Sequence, residues 1–217
     1  MPTGSGSGLR NDFLAMTIWR GKDPLILASQ SRARKMLLAN AGIDFEAVPA
    51  DIDERGVQTE SGLSAPGEIG LLLAREKALF VSSQRPARYV VGADQTLALG
   101  SRLFSKPAGR AQAADQLRLL AGGTHELHSA VAVARDGKIV FSDVSVARMT
   151  MRRLDESAIE AYLDQAGQAV TTSVGAYQLE GLGVHLFERI EGDHFTILGL
   201  PLLSLLAFLR GEGVLSV

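Results

Sequence analysis

The segment that most constrains this chain is LILASQSRARKMLLANAG, Leu25 to Gly42. Leu25–Ala28 is apolar, uninterrupted and short, as a buried strand must be. Ser31 to Ala41 carries the spacing of a helix, and Gly42 supplies its stop. A strand that passes into a helix through two polar residues places helix and sheet in adjacent layers. It also leaves two hydroxyls, Ser29 and Ser31, and two cations, Arg34 and Lys35, at the junction.

The same reading runs down the chain. Phe45–Val48 is a second short strand, and the polar stretch from Asp51 to Glu68 reads as a loop. Glu68 to Ser82 is a helix preceded by Pro66, Tyr89–Leu99 a strand, and Gly109 to Leu120 a helix stopped by Gly122-Gly123. Thr124–Ala134 and Lys138–Met151 are strands joined at Asp136-Gly137, a strong hairpin signal. Asp155 to Gln165 is a helix. A glycine-rich strand-and-loop region follows, and a last helix starts near Pro201 and ends by Gly211. Strands and helices alternate early and a hairpin sits in the middle, so an α/β protein with a mixed sheet is expected.

Size and charge narrow the function. A chain of 217 residues can bury a full core in one domain. We take residues 1–22, rich in Gly and Ser, as a disordered lead, with Met16 a candidate native start, and residues 23–217 as a single domain. There are 22 Lys+Arg against 24 Asp+Glu, which argues against stable nucleic-acid binding through a broad basic surface. No cysteine is present, so thiol nucleophiles, thiolate metal sites and disulfides are excluded, and a reducing cytoplasm is the expected location. The most apolar run, Phe195 to Leu209, is too short for a membrane span and contains Gly199 and Pro201.

Several residues could carry chemistry. Ser29 and Ser31 can cap the helix that follows, whose free N–H groups attract anions; Arg34 lies one turn on, over the same end. The cluster is either a phosphate cradle or a plain cap with solvated cations, and it is not a Walker A loop. In VVGADQTLALG, period-two alternation puts Val90, Gly92, Asp94, Thr96 and Ala98 on one face. A mid-strand carboxylate needs a partner or a metal, and small neighbours leave room for a ligand. On the helix EIGLLLAREKALFVSS, Lys77 interrupts the stripe Gly70, Leu73, Ala74, Ala78 and Val81. It either snorkels to water or reaches a buried anion. Lys106 precedes Pro107, which forces extended backbone and sets its direction. Asp51, Asp53 and Glu54 could hold a hard divalent cation or form a solvated acidic loop. Gln178 and Glu180 could read a base edge or help bind a metal. The four histidines lack zinc spacing, and His125 and His128 face opposite sides of one strand. A Ser-His-Asp hydrolase is disfavoured, since no G-x-S-x-G elbow occurs.

These segments, in order, resemble the Maf family of nucleoside triphosphate pyrophosphatases, the septum-formation inhibitor family. The resemblance runs from about Leu25 to Gly211 and rests on LILASQSRARKMLL, DIDE, REKA, GADQT, SKP and SVGAYQLEGLGVHLFERIEGDHFTILGLPL. It implies a curved mixed β-sheet with flanking helices and two lobes around a deep cleft, similar to inosine triphosphate pyrophosphatases. It implies hydrolysis of a nucleoside triphosphate to monophosphate and pyrophosphate, a housecleaning activity on modified nucleotides, with Mg or Mn. Asp94 would be the catalytic proton acceptor. Ser29, Ser31, Arg34, Lys35, Lys77, Lys106 and Gln178 would bind substrate, and Glu54, Asp94 and Glu180 the metal. A homodimer is the assembly it suggests. Lys35 stands where the family usually has Arg, and Arg32 where it often has Pro. Gln95 and Glu180 replace Thr and Gln, and both resemble the subgroup linked to 7-methyl-GTP. The alternative function is a non-catalytic nucleotide-binding regulator of cell division.

Overall fold

A computed structural model of the protein describes residues 18–217. Met16, and the greater part of the expected lead, lie outside the described residues. The folded part begins earlier than expected. Trp19 is buried in the core and forms an antiparallel bridge with Leu215, and the Arg20 N–H donates to the Val214 carbonyl at 2.8 Å. An indole with that much apolar surface drives Ile18–Lys22 onto the domain despite the polar residues around it.

The sheet has seven strands in the order β2-β1-β3-β5-β6-β7, with β4 added to β3. Its strands are β1 (Leu25–Leu27), β2 (Phe45–Ala47), β3 (Val90–Leu99), β4 (Arg102–Phe104), β5 (Thr124–Arg135), β6 (Lys138–Met151) and β7 (Phe187–Glu191). β1 runs parallel to both β2 and β3, whereas β3–β5, β5–β6 and β6–β7 are antiparallel. The mixed α/β architecture is therefore as read from the sequence. Asp136 and Gly137 both have positive φ, 51° and 71°, which closes the β5–β6 hairpin in the handedness that twisted strands favour.

The helices are α1 (Arg32–Asn40), α2 (Glu54–Ser61), α3 (Pro66–Ser82), α4 (Arg110–Leu120), α5 (Glu156–Ala166), α6 (His194–Ile197) and α7 (Leu202–Gly211). α2 corrects the expected loop over Asp51–Glu68. Its start is capped by Asp53, whose carboxylate accepts from the Gly56 N–H at 3.0 Å. None of its residues is buried, so no apolar stripe announced it. β4 is a second addition that sequence periodicity did not predict. The region expected as strand and loop before α6 is mostly short 3-10 turns, Gly167–Thr171, Val174–Ala176 and Leu182–Leu186, leading into β7.

The two faces of the sheet differ. On one, α3 packs against β3 and β5 through a layer of alanines, Ala74 and Ala78 on the helix and Ala130, Ala132 and Ala134 on β5. On the other, the apolar residues divide into two cores. Val91, Ala93, Val131 and Val133 pack with α1 and α7, while Leu97, Leu127 and Met149 pack with α4 and α5. The positions between them on β3 and β5 are Gln95 and Ser129, both polar. The Gln95 amide donates to the Ser129 hydroxyl at 2.9 Å and to the Thr196 and Ile197 carbonyls at 3.1 Å each. A belt of hydrogen bonds thus separates two hydrophobic bodies on one face.

His125 lies inside the second core. Its Nε2 is 2.7 Å from the Tyr177 hydroxyl, and its ring also packs against Phe187. His128 turns to the opposite face, toward Gly67 of α3, as alternation requires. Burial lowers the His125 pKa from 6.5 to about 4. The unfolded chain then holds a proton on His125 that the folded chain rejects. Stability contributed by the neutral ring is full above pH 6.5 and falls as pH drops toward 4, by up to roughly 3 kcal/mol. Thermal unfolding of the parent and of His125→Gln between pH 7 and pH 4 should show the steeper fall in the parent, with the variant flatter across that window.

Candidate active site

The site begins where an edge of the sheet is interrupted. β5 pairs with one edge of β3 from Val90 to Ala98. The other edge is shared by two short strands. β1 pairs only at Val90 and Val91, and β4 only at Leu97, Ala98 and Leu99. Among the described residues Gly92 to Thr96 therefore have no strand beside them on that edge, and Asp94 is at the centre of the gap. The carboxyl end of β1 opens into the same gap, the kind of position at which α/β sheets receive ligands.

Arg34 fills part of this opening. Its Nε donates to the Gly199 carbonyl at 2.7 Å, and its Nη1 donates to the Ala93 carbonyl at 2.8 Å and to the Ser29 hydroxyl at 3.2 Å. The guanidinium thus satisfies a strand carbonyl that β1 stops too soon to reach. Ser31 caps α1, its hydroxyl accepting from the Arg34 N–H at 3.4 Å, and the Ser31 N–H donates to the Ser29 hydroxyl at 3.2 Å. Burial pulls the Arg34 pKa down, and the nearby Asp94 and Glu54 carboxylates push it back up. The arginine is therefore close enough to feel both acids, while its Nε and Nη1 are tied to backbone carbonyls and Ser29.

Asp94 and Lys77 form the centre. Both are buried, and the Lys77 ammonium donates to Asp94 Oδ1 at 2.6 Å. The same nitrogen is 2.8 Å from Oε1 of Glu54, which is half-exposed at the start of α2. One cation is thus shared by two carboxylates, and the lysine that interrupts the apolar stripe of α3 reaches a buried anion instead of snorkelling. Gly92 makes that approach available. A Cβ built there would lie 2.1 Å from the Ala74 carbonyl oxygen and 2.7 Å from the Ala78 nitrogen, so only glycine lets α3 descend onto β3. Thr96, on the same face, donates its hydroxyl to the Pro66 carbonyl at 2.9 Å and fixes the start of the helix.

Among the described residues no hydrogen bond or ion pair joins the remaining candidates to this centre. Lys35 and Lys106 make no side-chain hydrogen bond or ion pair among the described residues, and Lys106 is exposed. Gln178 donates its side-chain amide to the Thr172 hydroxyl at 2.7 Å, while its backbone carbonyl accepts from the Gly181 and Gly183 N–H groups. Glu180 is exposed on the same turn. Among the described residues no three His, Asp or Glu side chains converge on one point, so Glu180 does not complete a three-carboxylate set with Glu54 and Asp94. Gln95, read from the sequence as a base-class marker, faces the sheet side opposite Asp94, and its amide nitrogen is committed to the polar belt. Sequence reasoning missed the backbone partners of Arg34, the Ala93 and Gly199 carbonyls. They lie 59 and 165 residues away, and no local pattern joins them.

The donor set suits a hard dication. Two carboxylates already converge on one positive charge, and Mg-type ions take one or two protein carboxylates, filling their other positions with phosphate oxygens and water.

Comparison with known proteins shows what the chain is similar to. A protein from Bradyrhizobium diazoefficiens named "Nucleoside triphosphate pyrophosphatase" is 75% identical over 202 residues, which is 93% of this chain and 100% of that protein. One of the same name from Rhodopseudomonas palustris is 68% identical over the same shares. A "7-methyl-GTP pyrophosphatase" from Mesorhizobium japonicum is 51% identical over 197 residues, 89% of this chain and 98% of that one. Residues 24–212 match the family model described as Maf-like protein, and with nearly the whole fold and every site segment inside that match, the chain belongs to the Maf-like protein family.

Proposed function

We propose that this protein hydrolyses the α–β phosphoanhydride of a nucleoside triphosphate, giving the nucleoside monophosphate and pyrophosphate. The observation that carries the reading is the Lys77 ammonium held between Asp94 and Glu54 in the gap of the β3 edge, beside the capped start of α1. The names of relatives up to 75% identical support it.

The residues have distinct tasks. The N-terminus of α1, with Ser29, Ser31 and Lys35, faces anionic oxygens with free N–H groups and positive charge. Lys77 and Lys106 neutralise charge that grows on the transferring group, where most phosphoryl-transfer catalysis acts. Glu54 and Asp94 would hold the Mg or Mn ion, which supplies charge neutralisation on the triphosphate. As Lys77 shifts from the carboxylates to the arriving phosphates, Asp94 loses the proton donor that occupies it. It can then orient the attacking water and take its proton. A bond from the water oxygen to phosphorus forms as the bridging bond breaks, and the bridging electron pair leaves with the departing group. Arg34 holds β3 and the Gly199 turn in place around these groups.

Base preference follows from what is free. The amide nitrogens of Gln95 and Gln178 are taken by structural hydrogen bonds, so Glu180, exposed on the same turn as Gln178, is the residue on which any preference for 7-methyl-GTP would rest. The cytoplasmic nucleotide pool is the setting we propose, with no stable nucleic-acid contact and a homodimer as the assembly. Among the described residues no helix is long and apolar enough to cross a membrane.

The test is product analysis with Mg or Mn on 7-methyl-GTP, dTTP, UTP and modified pyrimidine triphosphates. Pyrophosphate and monophosphate from one base class are expected. Orthophosphate as the first product would overturn the reading. Tight nucleotide binding by folded protein without turnover would favour the nucleotide-binding regulator.

A further inference from the structure

The loop that carries Lys106 is pinned on both sides by one helix. The Ser105 carbonyl accepts from the Gln116 Nε2 at 2.8 Å, and the Ala108 N–H donates to the Gln112 Oε1 at 2.6 Å. Gln112 and Gln116 are four residues apart and so share one face of α4. Pro107 between the two pins is buried and holds Lys106 extended. The backbone of Ser105–Ala108 is therefore fixed at its first carbonyl, at its proline and at its last amide, while the Lys106 side chain stays exposed and without a partner among the described residues.

Gln116 is unusual for a side chain whose task is stability alone. It is buried, yet its Oε1 has no hydrogen-bond partner among the described residues. A buried, unpaired amide oxygen costs stability, and an apolar side chain of similar size would avoid that cost. What an apolar side chain cannot supply is the bond to the Ser105 carbonyl.

We propose that Gln116, with Gln112, is a positioning residue that aims Lys106 at the triphosphate; this rests on the reading of Lys106 as a phosphate-binding group. Gln112 also lies at the start of α4, so Gln116 is the cleaner probe.

The experiment compares the parent, Gln116→Leu, Lys106→Ala and the double variant for pyrophosphate release, thermal unfolding, and amide hydrogen exchange over residues 105–109. Gln116→Leu should lower kcat by roughly 10-fold, as displacement of a charged group by a fraction of an ångström does, with KM nearly unchanged. Its melting temperature should hold, its exchange at Lys106 and Ala108 should quicken, and the double variant should be no slower than Lys106→Ala. Full activity in Gln116→Leu alongside an impaired Lys106→Ala would overturn the proposal alone. So would losses that multiply in the double variant, or a Gln116→Leu that merely melts early. Full activity in Lys106→Ala would instead remove the phosphate-binding role of Lys106, and the proposal with it.

Discussion

Asp94→Asn is expected to lose turnover by roughly 10³-fold, the range spanned by removal of a positioned proton acceptor, while still binding nucleotide. Asparagine keeps the shape and an acceptor oxygen for the Lys77 ammonium, which also retains Glu54 at 2.8 Å. The substitution removes the negative charge and the capacity to take a proton from water, and leaves the cradle at α1 intact. Pyrophosphate release measured beside calorimetric nucleotide binding separates the two effects. Turnover close to that of the parent would dismiss Asp94 as the base. Loss of binding together with turnover would mean that Asp94 chiefly organises the site.

Gly92→Ala is expected to be the most damaging single-methyl change in the chain. The added Cβ would sit 2.1 Å from the Ala74 carbonyl oxygen and 2.7 Å from the Ala78 nitrogen, both rigid backbone atoms of α3. Neither can turn aside as a side chain can, so the helix must lift from the sheet. Overpacking against backbone in a full core costs about 3 kcal/mol or more. For a chain of this size that lowers the melting temperature by roughly 6–12 °C. Activity should fall further than the fraction of folded protein does, because α3 carries Lys77 and β3 carries Asp94. Calorimetry and turnover on the folded fraction check both parts. A variant with normal melting and normal rate would show that α3 and β3 tolerate separation.

Much of this arrangement was legible in the sequence because it follows local period. Alternation along β3 placed Asp94 on the face with Gly92 and Thr96. The stripe of α3 placed Lys77 among Leu73, Ala74 and Ala78, all buried here. Ser31 capping α1 followed from residue type and position. What periodicity could not supply was the contact itself. Lys77 meets Asp94 because a glycine and a layer of alanines let two elements approach, a property of the pair. α2 was not legible because none of its residues is buried, leaving only a cap and propensity to signal it. Gln95 was legible as a departure in a motif, resembling the subgroup linked to 7-methyl-GTP, but no local pattern showed that its amide nitrogen serves the seam between two cores. Lys106, Gln178 and Glu180 were legible as residues of the right chemistry, but their distance from Asp94 depends on loops whose course only tertiary packing decides.

The division of one sheet face into two cores has a consequence for how the molecule breathes. Two apolar bodies that share strands across the belt of Gln95 and Ser129 are expected to open as partly independent cooperative units. The α1 end of the site belongs to the body with α1 and α7, and the loop of Lys106 leads into α4 of the other. A triphosphate held from both ends would act as mortar between them. Its binding free energy would then be spread over amides far from the nucleotide, and the whole domain would open as one block where the empty protein opens as two.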